Sequence, residues 1–200
     1  ARVTFEVILE RNLSEELAPV LAEQLGYDWP TRVARVQADL AVARDAGRLR
    51  PWEAEACRAM VPLAEGDWEE AVPILDRAIH ATPNEPDLFF LRGLANLGAT
   101  RAEATRQQHL TTLRPAYEDA RKALEIKQSF YEAALLAGWT LFAMSQELPL
   151  PEDERHRLLE EGFALMQRAT RIDPDRQIGF YVLGHARFWS WRNRHTPRGE

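Results

Sequence analysis

The sequence predicts an all-α fold: an α-α superhelix of antiparallel helix pairs behind an N-terminal helical extension, with one short candidate strand. Three observations carry this. Apolar residues recur at helical spacing through the long segments. Gly and Pro stops separate those segments. Ala78, Ala123 and Ala169 each stand near the end of one segment, and Gly93, Gly138 and Gly184 inside the next. Successive members of both sets lie 45 and then 46 residues apart, and each Ala precedes its Gly by 15. Small residues at a fixed phase on a fixed period mark an array of stacked supersecondary units.

Residues 1–50 form the extension. Over 2–9, Val3, Phe5, Val7 and Leu9 alternate with Thr4, Glu6 and Ile8. That pattern fits a half-buried strand, or alternatively a short amphipathic helix. Ser14 suits an N-cap; Leu17, Val20, Leu21 and Leu25 follow at helical spacing, and Gly26 stops a helix over 14–25. Pro30 opens a second helix, 30–46, with Val33, Val36 and Leu40 on its apolar face and Gly47 as its stop. Its Arg32, Arg35 and Arg44 read as a solvated face balanced by Asp39 and Asp45, in preference to a phosphate site.

The array occupies 51–193. Residues 52–64 and 67–81 read as an antiparallel pair broken at Gly66, with Pro62 expected to kink or shorten the first helix. Pro86 opens the helix 86–98. Pro115 divides 101–126 into two expected segments. Residues 130–145 are strongly apolar and helical, and Leu148 to Asp153 is a proline-marked loop. Helices over 153–172 and 176–193 follow, and residues 194–200 are expected to be a disordered tail.

Composition excludes several functions. The formal net charge is −6, so no global basic field draws in nucleic acid. Trp189 and Trp191 interleave with Arg187, Arg192 and Arg194, which admits single-stranded nucleic acid, but a cationic helix C-terminus is preferred. Cys57 is the only cysteine, so neither an intrachain disulfide nor a Cys-based metal site is expected. The histidines, among them His80, His156 and His185, have no metal-ligand spacing. Glu15-Glu16, Glu69-Glu70 and Glu160-Glu161 are adjacent on helices and diverge. With no phosphate loop or nucleophile elbow, the chain is expected to be neither an enzyme nor a cofactor or metal protein. No apolar run approaches the roughly 20 residues of a membrane span. One thiol and no signal-like segment predict a cytoplasmic location, or a periplasmic one if Ala1 follows a cleaved signal. Arg in place of Lys and abundant Ala point to a GC-rich bacterial genome.

The run Gly66-Asp-Trp-Glu-Glu-Ala71, then Ala78 and Pro83-Asn84, resembles the tetratricopeptide repeat, a helix-turn-helix unit. Phe89 and Gly93 match its next large and small positions; Ala134, Ala137 and Gly138 repeat them, as do Phe180, Leu183 and Gly184. The resemblance covers about 52–191. The period exceeds the family's, which is about 34 residues. The added length lies near 100–110 and 145–156. Gln128 replaces a Pro of the second repeat, and Gly162 an Ala of the third.

The resemblance implies a concave groove lined by the first helix of each unit. Carried over, the lining residues include Glu53, Ala56, Met60 and Leu63; Asp87, Phe90, Leu94 and Leu97; Glu132, Leu135, Trp139 and Phe142; and Ile178, Tyr181, His185 and Phe188. Members that read chaperone C-termini hold the carboxylate with cations and amides. Here Ala56, Met60, Leu91, Glu132 and Leu136 stand at such positions. An apolar groove instead suits a protein or peptide partner with an amphipathic helix. The candidate contact residues are Met60, Phe90, Leu94, Leu135, Trp139, Phe142, Tyr181, His185 and Phe188. The alternatives are a groove filled by helix 14–25, a homodimer, or a fragment of a larger regulator. Gly138 and Gly184 are both expected to be close-contact positions between paired helices.

Overall fold

The computed structural model describes residues 49–65, 67–99 and 106–195, with 38, 41–42 and 45–47 before them. The candidate strand 2–9, the helix 14–25, most of the helix 30–46 and residues 196–200 lie outside the described residues. Ala38, Ala41, Val42 and Asp45 have helical backbone, and so do residues 194 and 195, which were assigned to the tail.

Among the described residues the fold is all-α, with seven long helices and no strand. They are α1 (Pro51–Glu65), α2 (Trp68–Ala81), α3 (Pro86–Gly98), α4 (Arg106–Ile126), α5 (Tyr131–Glu147), α6 (Glu152–Ile172) and α7 (Gln177–His195). Helices α1–α3 belong to one compact unit and α4–α7 to another, so the expected array is divided at Ala99–Thr100.

In the first unit α1 packs on α2 and α2 on α3, and α1 also touches α3. Glu53 reaches back to the start of α1: the Arg50 backbone N–H donates to Glu53 Oε2 at 2.6 Å, half of a capping box. Arg50 Nη2 donates to the other oxygen at 2.9 Å, and these bonds hold the Glu53 carboxyl below its usual range. Trp68 lies against Gly98, where any Cβ would run into its indole. Pro62 does not break α1. The helix continues to Glu65, and the Asp67 N–H donates back to Pro62 O at 2.8 Å.

In the second unit each helix packs on the next, and α7 also touches α5. The two segments expected over 101–126 are one helix from Arg106 to Ile126, with Pro115 inside it. One missing donor costs less than the packing of Leu113, Ala116, Ala120 and Ala123, which are all buried. Helices α4 and α6 are the longest of the described helices, with 21 residues each.

Gly138 and Gly162 face each other across the α5–α6 contact. A Cβ on Gly138 would lie 2.7 Å from Gly162 O, and one on Gly162 would lie 2.9 Å from Gly138 O. The two helices touch backbone to backbone there. Gly184 does not behave this way. A Cβ there meets nothing within 4 Å, because no described helix packs on that face of α7. The close-approach glycine of α7 is Gly179, whose Cβ would lie 2.8 Å from the Tyr131 hydroxyl.

Candidate functional site: the aromatic face of α7

Helix α7 holds no Asp or Glu and ends in an arginine-rich stretch. Arg176, in the turn before it, fixes its start. The Arg176 Nη1 donates to Glu132 Oε1 at 2.5 Å, and the guanidinium lies 4.0 Å from the Tyr131 ring centroid. Arg176 is buried, and burial pushes the Tyr131 hydroxyl up to about 12. Glu132 therefore ties the start of α5 to the turn before α7; it is not an open groove wall.

Beyond this tie, α7 presents two faces. Val182, Leu183, Ala186 and Ser190 are buried. Phe180 (53% exposed), Tyr181 (44%), Phe188 (54%) and Trp191 (55%) stand in solvent. Between the two runs a chain of rings. Trp139 and Phe142 of α5 have centroids 5.2 Å apart, and Trp139 lies 5.8 Å from His185. His185 stacks with Tyr181 at 6.0 Å and meets Trp189 at 6.1 Å. Phe188 meets Trp189 and Trp191, each at 6.4 Å. Trp189 Nε1–H donates to His185 Nε2 at 2.8 Å, so that nitrogen is the unprotonated acceptor. Arg192 caps the Trp189 ring at 4.7 Å, and Arg187 lies 5.8 Å from the Phe163 ring.

The structure thus brings together five of the nine candidate contact residues, Trp139, Phe142, Tyr181, His185 and Phe188, although Phe142, 6% exposed, is itself a core residue. Leu135 lies beneath them, fully buried. Met60, Phe90 and Leu94 belong to the first unit and are core residues, 5%, 2% and 0% exposed. The physical reason is that a helix flanked by two others buries more than one face, so an apolar stripe is consumed by packing. Phe180, Trp191 and Gly184 were missed as surface residues. The repeat phase would assign Phe180 and Gly184 to a contact with a following helix, and no described helix covers them.

A second depression, between α4 and α6 over Ala137, is lined by Tyr117, Glu161 and Arg168 among others. Its polar groups bond internally. Tyr117 donates to Glu161 Oε1 at 2.8 Å, and Arg168 Nη2 donates to Gln128 O at 2.5 Å. Burial, with the Glu161 bond, pushes the Tyr117 hydroxyl up to about 12. Burial also raises the Cys57 thiol, which makes it a poor nucleophile at neutral pH. Among the described residues no cluster of three or more His, Cys, Asp or Glu could hold a metal, and no helix is long and apolar enough to cross a membrane.

No protein-family model and no curated protein matches this chain.

Proposed function

We propose that this protein is an interaction module of tetratricopeptide-like design, a scaffold or adaptor whose α7 face docks an apolar or amphipathic helix. One observation carries the reading: four large aromatic side chains, Phe180, Tyr181, Phe188 and Trp191, stand about half exposed on a single helix. Contiguous apolar surface of this kind is rare on isolated chains and marks contact sites. Tyr181 rests on His185 and Phe188 on Trp189, and the Arg176–Glu132 tie fixes the start of the helix, so these two rings lose little freedom on docking. Tyr, Trp and Arg are also the residue types that dominate contact energies. The helical pairs and the repeated Ala and Gly positions support the tetratricopeptide likeness, and the lengthened α4 and α6 depart from it.

The test is site-specific photocrosslinking in cells. A crosslinker replacing Phe188 should yield a defined adduct, and one replacing Arg121 on the exposed side of α4 should not. Equal labelling from both positions, or none from Phe188, overturns the reading.

A further inference from the structure

We propose that the occupant of this face is α7 of a second copy of the chain, crossing antiparallel at Gly184. The inference rests on α7 being a docking face and names what docks there.

Gly184 lies 46 residues after Gly138, at the same phase of the repeat. Gly138 is where α6 meets α5 backbone to backbone, and Gly184 offers the same bare backbone to open space. The face around it is nearly symmetric. At 3.6 residues per turn, Gln177, Phe180, Tyr181, Arg187, Phe188 and Trp191 all lie within about 60° of Gly184. Phe180 is four residues before it and Phe188 four after; Tyr181 is three before and Arg187 three after. An antiparallel two-fold crossing at Gly184 brings together residues at about equal distance on either side of it that share one flank of the helix. Tyr181 then lies beside the partner's Phe188, and Arg187 lies beside the ring of the partner's Phe180, a cation–π pairing.

Charge selects this direction. Helix α7 carries Arg187 and Arg192 with no acid, so a parallel pair sets Arg against Arg. The antiparallel pair brings Arg192 to the partner's turn of Asp173 and Asp175, just before α7. It also covers all four exposed aromatics at once.

The test is sedimentation equilibrium of the full chain, with disulfide trapping in a Cys57→Ser background. The wild type should be a dimer, and Gly184→Leu, which meets no atom within the chain, should stay folded but weaken the dimer by at least about tenfold. Gly184→Cys should crosslink to itself under mild oxidation. Trp191→Cys should not, because on a two-fold axis through residue 184 the two copies of residue 191 lie about 21 Å apart along the helix. Crosslinking at 191 instead of 184, or a dimer untouched by both Gly184→Leu and Phe188→Glu, overturns the proposal. A monomeric wild type overturns it as well, and a designed Leu/Glu amphipathic peptide then separates the two ideas. If the monomer binds the peptide and Phe188→Glu abolishes binding, the docking face stands without the second copy; if it binds none, both readings fall.

Discussion

Arg176 and Glu132 form an ion pair at 2.5 Å with side chains only 6% and 17% exposed, joining the turn before α7 to the first turn of α5. Removing either partner strands a charge in a site built for two. Glu132→Ala or Arg176→Ala should each cost about 3–5 kcal/mol, read by urea denaturation. The double replacement Glu132→Leu with Arg176→Met should recover most of that loss. Additive losses would mean that the two residues act independently.

The two glycines that share a repeat phase should respond oppositely to the same change. Gly138→Ala places a methyl 2.7 Å from Gly162 O and should destabilise by about 1–3 kcal/mol. Gly184→Ala meets nothing and should stabilise by about 0.5–1 kcal/mol through helix propensity alone. Thermal melts at low protein concentration compare the two.

At a protein concentration low enough to keep the chain monomeric, replacing Phe180, Phe188 and Trp191 together with Ser should barely change the melting temperature, because each is more than half exposed within one chain. The same variant should lose most of its binding of an apolar-surface dye. A large fall in melting temperature would show that these rings support the fold.

Alkaline pH should loosen the second unit. Tyr117 and Tyr131 are both held near 12 against an ordinary value of 10.0, so the folded state favours their neutral forms. The associated stability is fully present below pH 10 and is lost as pH rises from about 10 to 12. Tyr131→Phe and Tyr117→Phe should each flatten that decline. Circular dichroism against pH follows it, and an unchanged slope in both variants would assign the loss to other groups.

The helices were legible because apolar spacing and stops are local signals. Residues 86–98 form a helix with the bounds expected from the sequence, opened by Pro86. Pro115 misled because a local rule for breaking helices says nothing of the burial of Leu113, Ala116 and Ala120 around it. Trp139, Tyr181 and His185 could be placed on one face from phase alone. Leu94 and Leu135 could not be separated from that face, since phase does not tell how many neighbours a helix has. Gly184 shows the same limit from the other side: its repeat position requires a neighbour, and only the structure shows that face to be bare.

Helix α5 is buried at 12 of its 17 positions, around its whole circumference. Such a segment has no wet side on which to exist alone, and its many alanines contribute little until neighbours close over them. It acquires its stability from α4, α6 and α7 together. The second unit should therefore form in one concerted step, with α5 the last to be independently stable and the first to aggregate if any neighbour is cut away. Trimming α7 would bare Trp139 as well as remove the contact face, so shortened versions of this chain should fail in solubility before they fail in recognition.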